Sequence, residues 1–423
     1  MKIIISIFLS LFLLPIILMA QDPILALYRP HWSQQTNGLH HSISFSGEYN
    51  AGSDAITNSF LNSFYKGIFI AATSKTEQEN RLLPSNRIGI YATYAGSYCW
   101  RPNADSSNWE FVIAYRDRQT LFGKFSSDAF KLAFEGNRPF LGKTATLDNT
   151  NLTNLHWQQI QFEAKYYTPD RKTDAVIGIS ILNGQQLQEI NIRRASLFTE
   201  QNGTALDVSS SATYYRSDTA FTKTGSRNGS GTSFNFRFNT KMGDTTSPYR
   251  QLLTFIVQDI GFIRWNKNSE IYSVDTSLHF TGVDASAILI NSGQLTGIPN
   301  SDSLIGAAQN GQIISFLPLG VLLRYTLFTP GQFWGGIDAR AWSYCDALPQ
   351  ISMFAGWHTK NCHFSLTTGA AWGGYSRLQF PLKIVWEPCS RFSMLAGTNN
   401  AIGYIMPTKT RGQGLFVNLS YAF

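Results

Sequence analysis

Residues 414–423 read Gly-Leu-Phe-Val-Asn-Leu-Ser-Tyr-Ala-Phe. Leu415, Val417, Leu419, Tyr421 and Phe423 share one face; Phe416, Asn418, Ser420 and Ala422 share the other. A period of two makes this a strand with one apolar face. An open apolar edge of this kind invites pairing with other chains. A barrel closed in a membrane removes the edge, because its last strand pairs with its first. The expected fold is therefore all-β: a closed antiparallel transmembrane β-barrel of roughly 14 strands, within about 12 to 16, with one or two short helices. Leu415, Val417, Leu419, Tyr421 and Phe423 mark its closing strand.

The other end of the chain fits the same destination. Met1-Lys2 is followed by a nearly unbroken apolar run to Met19, then Ala20 and the polar Gln21-Asp22. This is the pattern of a secretory signal peptide over 1–20. The rival reading, a membrane anchor, sits at the lower limit of a spanning helix. A lead-in over 21–38, periplasmic or lumenal, and a barrel over 39–423 complete the expected organisation. Of the 423 residues 43% are hydrophobic and 14% aromatic, but only 14% are charged. Ordinary globular chains carry about 25% charge. After residue 20 no apolar run approaches the ~18 residues of a spanning helix. A soluble β-sandwich or propeller is the competing fold, and no fixed repeat of about 40–50 residues supports a propeller. The formal net charge of +7 is spread without a Lys/Arg cluster, so a nucleic-acid partner is not expected.

Along the chain, alternation predicts strands over 40–49, 87–100, 109–116, 159–166, 175–181, 206–214, 233–238, 252–265, 271–280, 313–327, 333–342, 351–357, 362–372, 378–386, 392–396 and the terminal stretch. Residues 378–386 alternate most sharply. Helical spacing predicts short helices over 55–66, near a rim or inside the lumen, and over 126–135. Residues 73–80 are polar and read as a turn or loop, and 282–310 as a long loop or lid.

No Gly-x-Ser-x-Gly elbow and no phosphate loop is present, so no catalytic residue is assigned. His358, Cys362 and His363 are close in sequence, but a structural zinc site wants four ligands, and no metal or cofactor is expected. If the apolar rows face lipid, the opposite rows face the lumen. They carry Arg87, Glu110, Arg116, Glu163, Lys165, Arg324, Asp338, Arg340, Arg377 and Lys383, seven basic against three acidic. Two readings stand: paired charges filling a narrow lumen, or a basic conduit for an acidic solute. With the terminus on the periplasmic side, strand parity puts Cys362 and Cys389 at one rim, able to meet across a hairpin as a disulfide. Cys345 falls at the other rim, and Cys99 on a lumenal row.

Residues 128–137 (Asp-Ala-Phe-Lys-Leu-Ala-Phe-Glu-Gly-Asn), 140–147 (Phe-Leu-Gly-Lys-Thr-Ala-Thr-Leu), 257–266 (Val-Gln-Asp-Ile-Gly-Phe-Ile-Arg-Trp-Asn) and 315–320 (Ser-Phe-Leu-Pro-Leu-Gly) resemble an uncharacterised family of Bacteroidota outer-membrane barrels, a domain of unknown function. That family is loosely similar to fatty-acid-transporter-type barrels and to accessory barrels of the type IX secretion apparatus. The resemblance implies an outer-membrane address and a barrel fold, and transfers no catalytic residue. The expected partners are outer-membrane lipid, the barrel-assembly machinery, and a small-molecule solute or an envelope protein. The leading functional expectation is a non-enzymatic barrel that binds or passes a small amphipathic or anionic solute through its lumen. A scaffold docking partners of a secretion or envelope assembly is the second reading, and a membrane-embedded hydrolase the third.

Overall fold

The computed structural model describes residues 40–102, 107–220, 225–243, 249–281 and 308–423. The leader at 1–20, the lead-in at 21–38 and nearly all of the 282–310 loop lie outside them. The strands are β1 His41–Ser53, β2 Ser85–Trp100, β3 Trp109–Ser126, β4 Lys143–Thr146, β5 Thr150–Tyr167, β6 Thr173–Thr199, β7 Leu206–Arg216, β8 Gly229–Met242, β9 Arg250–Trp265 and β10 Glu270–Phe280. Then come β11 Gln309–Asn310, β12 Ile314–Phe316, β13 Leu319–Phe328, β14 Phe333–Ser343, β15 Leu348–His358, β16 Phe364–Gly374, β17 Arg377–Gln379, β18 Leu382–Cys389, β19 Phe392–Thr398 and β20 Gly412–Ala422. Four short helices join them: α1 Asn58–Tyr65, α2 Ala72–Glu79, α3 Ser127–Glu135 and α4 Ile402–Ile405.

Fourteen strands close the wall in the order β1-β2-β3-β5-β6-β8-β9-β13-β14-β15-β16-β18-β19-β20 and back to β1, all antiparallel. Closure is made by β20 on β1 from Ser42↔Ala422 to Gly52↔Gly412. Backbone bonds between His41 and Phe423 in both directions, at 3.0 and 2.9 Å, finish the seam. We call the end holding this pair the lower end. Turns there are short, as between β15 and β16 or β18 and β19, whereas all four helices and the long connections sit at the upper end.

Two segments expected in the wall are not in it. β7 pairs with the upper half of the 27-residue β6, and β10 pairs with β7. They form a sheet that stands past the upper rim. Their alternation is real, because one face is half-buried, but alternation does not say which sheet a strand joins. The 313–327 and 378–386 strands are each interrupted, after Phe316 and after Gln379, where Pro318 and Pro381 lack the donor a ladder requires.

Outward rows are read from exposure. On β3 they are Trp109, Phe111, Ile113 and Tyr115; on β5, Ile160 and Phe162; on β6, Ile177, Ile179 and Ile181. Going up, each row turns polar at Asp117, Gln158 and Asn183. These three bond to one another around the wall: Gln158 donates to Asp117 at 3.0 Å, and Asn183 to Gln158 at 3.0 Å. The apolar belt below this border runs for about the 9–11 residues that a tilted strand needs to cross a bilayer.

Above the belt the outward rows are apolar again but covered. Ile88, Phe125 and Leu152 point outward and are at most 5% exposed, because α1 and α3 pack Phe60, Leu61, Ala129 and Phe130 over them; Ala51, also outward, is fully buried. The helices thus form a collar on the outer face of the upper wall, neither at the rim alone nor in the lumen. Thr57 and Ser126 cap α1 and α3 with their hydroxyls. Phe60, Phe130 and Phe134 stack with centroids 4.5–5.5 Å apart. Residues 73–80, expected as a turn, are helix α2. It has no apolar stripe to announce it, and tertiary bonds hold it: Thr57 N donates to Gln78 Oε1 at 2.9 Å, and Lys75 Nζ donates to Phe134 O at 2.8 Å.

Among the described residues the four cysteines form no disulfide. Cys362 and Cys389 lie in adjoining lower turns, where Glu387 N bonds His363 O at 2.7 Å. Cys345 lies in the upper turn between β14 and β15. Two outcomes are expected. Ile179→Arg, on the lipid row, should cost about 2–4 kcal/mol near mid-belt, measured by urea unfolding in lipid vesicles. Deleting residues 421–423 should abolish the heat-modifiable folded band on a gel, since it removes the seam.

Candidate functional site: the lumenal cavity

The inner rows carry the charge. Arg324 and Asp338 face each other on β13 and β14 and bond at 2.7 Å; Arg340 stands 3.5 Å from the same carboxylate, and Ser352 donates to it. Arg116 and Glu163 approach to 4.0 Å, and Lys165 and Asp174 to 3.9 Å. Glu110 is bound by Arg101 at 2.5 Å and by the Tyr167 hydroxyl at 3.0 Å. Arg87 and Arg377 both reach Asp54, at 3.3 and 3.5 Å. Lys383 is inward and buried. The ten candidate charges therefore fall into separate groups along the interior and do not make one continuous row.

Below mid-height the inner faces of β5 and β6 are tightly packed. Gln159, Gln161 and Ser180 are 0–1% exposed and bonded together, Gln159 donating to Gln161 at 2.8 Å and to Ser180 at 3.1 Å. Residues lining a water-filled channel would be accessible. Higher up on this side Leu155, Trp157, Leu182, Ile263, Trp265 and Leu317 form an apolar interior cluster.

Between this packing and the mouth lies a cavity of about 190 Å³, partly open to solvent. Its wall combines Tyr91, Trp157, Trp342, Phe354 and Phe416 with Glu48, Asp338, Arg118, Arg340 and Lys383. Aromatic area with a few convergent charged groups is the usual composition of a small-molecule site.

The cavity is roofed by two inward turns. Asp346, from the turn between β14 and β15, reaches across the lumen to Lys124 at 2.5 Å and Asn151 at 2.7 Å on β3 and β5. The turn between β16 and β17 drops Tyr375 onto Gly89 and Ser376 onto Gly52. A Cβ at Gly89 would lie 2.1 Å from the Tyr375 ring, and one at Gly52 2.1 Å from Ser376 Oγ. Glycine is required at both positions for the roof to seat. Tyr375 also contacts the Cys345 thiol, and burial pushes both groups up in pKa.

A bulge supplies one wall. The β8–β9 register slips between Phe234 and Phe236, and Asp259 adopts φ 61°. Both Gln258 and Asp259 then point inward, one lining the cavity, the other bonding Arg118 at 2.7 Å across the lumen. Arg118 also lies over Trp157, 4.9 Å from the ring centroid. Sequence reasoning missed Asp259, Asp54 and Asp346, because bulge and turn residues do not follow a period of two, and Arg118, because the strand expected over 109–116 continues to Ser126. The available signal was position: Asp259 sits inside the 257–266 stretch already singled out.

His358 touches Cys362 at 3.5 Å, while His363 turns to the Glu387 carbonyl at 2.6 Å. Among the described residues no group of three His, Cys, Asp or Glu is placed to hold a metal. Asp259→Leu should destabilise the barrel by about 3–5 kcal/mol by stranding a buried guanidinium. Arg118→Leu in the same chain should restore most of the loss, as read by urea unfolding.

No curated protein matches the chain. Among solved structures it is similar to the Pseudomonas putida toluene transporter TodX, at 8% identity and TM-score 0.44, covering 96% of this chain and 94% of that one. It is also similar to the Ralstonia pickettii toluene transporter TbuX, at 8% identity and TM-score 0.42, covering 91% and 89%. A Pseudomonas aeruginosa FadL homologue matches at 11% identity and TM-score 0.45, covering 91% and 90%. Residues 34–327 match a family described as "Family of unknown function (DUF5723)", and the chain belongs to that family.

Proposed function

We propose that this protein is an outer-membrane barrel that binds a small amphipathic, anionic solute in the lumenal cavity and passes it inward. The observation that carries the reading is the cavity itself: it is roofed, floored by packed polar side chains, and lined by aromatic rings beside Arg340 and Lys383. An apolar body would lie against Trp342, Phe354 and Phe416, and an acidic group would take charge-assisted bonds from the cations. The short-turn end would face the periplasm and the roofed end the exterior. Passage then requires the roof to lift and the floor to rearrange, so the protein acts as a gated binder and not as a general pore. The second reading, a scaffold in a secretion or envelope assembly, is favoured by the β7–β10 sheet that stands clear of the wall.

The test is calorimetric titration of 1-naphthoate into the protein in nanodiscs. Binding should weaken at least tenfold in Arg340→Gln with Lys383→Gln, because each charged hydrogen bond lost is worth about 1.5–3 kcal/mol. Tyr375→Ala, which thins the roof, should speed both association and dissociation. No heat with the native protein, or equal affinity in the double variant, would sink the reading.

A further inference from the structure

Directly above the roof three arginines converge on Asp54, two on its carboxylate and one on its backbone carbonyl. Asp54, which follows β1, is fully buried. Its Oδ1 accepts the Arg87 backbone N–H at 2.7 Å, and its Oδ2 lies 3.3 Å from Arg87 Nη1 and 3.5 Å from Arg377 Nη2. Arg411 donates to the Asp54 carbonyl. Arg81 and Arg377 both lie close enough to Arg411 to repel it, which, after burial, lowers its pKa. One negative charge thus faces three positive ones in a half-desolvated place. Arg377 Nε is buried with no hydrogen-bond partner. The Arg87 and Arg377 side chains are still 23% and 37% exposed, so solvent reaches the cluster.

Its position is as informative as its charge. Arg377 belongs to the same turn as Tyr375 and Ser376, which close the cavity over Gly89 and Gly52. The cluster is therefore on the outer side of the roof, with the cavity on the inner side. A purely structural latch would need one arginine for one aspartate. Three guanidiniums, each a planar fork of donors, form instead the recognition pattern of an oxyanion.

We propose that Arg87, Arg377 and Arg411 form an oxyanion-binding site at the cavity mouth, for a carboxylate-, sulfonate- or phosphate-bearing group. The site receives the acidic group of the solute before it reaches Arg340 and Lys383. The anion competes with Asp54 for Arg377, and taking Arg377 loosens the roof turn. This rests on the lumenal-binding reading above for its biological role, but the site itself is tested without it.

The probe is inorganic sulfate, titrated by calorimetry into the protein in phosphatidylcholine nanodiscs at low ionic strength. Native protein should bind one sulfate. Arg377→Gln with Arg411→Gln should abolish that heat. Asp54→Asn, which removes the competing carboxylate, should tighten sulfate about fivefold; a latch with no anion role predicts no gain. A native protein without sulfate heat, or an Asp54→Asn variant that binds no tighter, overturns the proposal. If sulfate binds while 1-naphthoate does not, the mouth site stands and the cavity reading falls. Repeating the titration in phosphatidylglycerol nanodiscs assigns the occupant: loss of the sulfate site points to a lipid headgroup, and an unchanged site to a soluble anion.

Discussion

Every other feature of this molecule depends on where the backbone hydrogen bonds go at the seam between β20 and β1. In a bilayer an unpaired N–H or C=O is worth several kcal/mol against the structure. A sheet with two free edges is therefore excluded, and only closure satisfies both. Eleven consecutive residue pairs from Ser42↔Ala422 to Gly52↔Gly412 supply it. The aromatic end of the chain takes part directly, since Phe423 and His41 exchange backbone bonds and their rings stack at 5.6 Å. Once the seam exists, the alternation of each strand has only two destinations, lipid and lumen. The charge-poor composition follows from the first and the buried ion pairs from the second.

The lumen shows how a polar interior is kept from becoming a leak. Charged groups inside a low-dielectric wall are tolerated when paired and hydrogen-bonded. The Arg324–Asp338–Arg340 group and the Gln159–Gln161–Ser180 chain meet that condition by cross-strand neighbours. Arg118–Asp259 and Lys124–Asp346 meet it across the barrel. Neighbour pairs need only the regular ladder. Cross-lumen pairs need an irregular one: the bulge at Asp259 and an inward turn at Asp346. The cavity exists where the irregular contacts hold the interior apart.

That distinction explains what was legible in the residues. The belt could be read because Leu415–Phe423, Trp109–Tyr115 and Ile177–Ile181 repeat every two residues, and the helices over 58–65 and 127–135 because Phe60, Leu61 and Phe64 or Phe130 and Phe134 recur at helical spacing. α2 could not, since Ala-Thr-Ser-Lys-Thr-Glu-Gln-Glu has no apolar face and is held by Gln78 and Lys75. Nor could the outward position of the collar: α1 buries an apolar face either way, and only Ile88, which lies on an outward row, shows which wall it meets. β7 and β10 alternate like wall strands, and their departure from the wall is a matter of pairing partners far apart in sequence.

The two ends of the barrel carry different physics. At the lower end short turns such as those between β15 and β16 and between β18 and β19 join wall strands directly, and little there can move without breaking the wall. At the upper end the collar and the roof turns rest on the wall through side chains, and the projecting sheet continues from β6 through its backbone ladder. Tyr375 seats on a glycine, Asp346 on a lysine and an asparagine, and Arg377 on a shared carboxylate. Such contacts break one at a time, each at a small fraction of the cost of opening a strand pair, so local opening begins there. Among these contacts of the described residues, the Asp54 group is the one whose charges do not balance. A roof held partly by an arginine with too few anions is one that an incoming anion, and not a neutral molecule, is fitted to release.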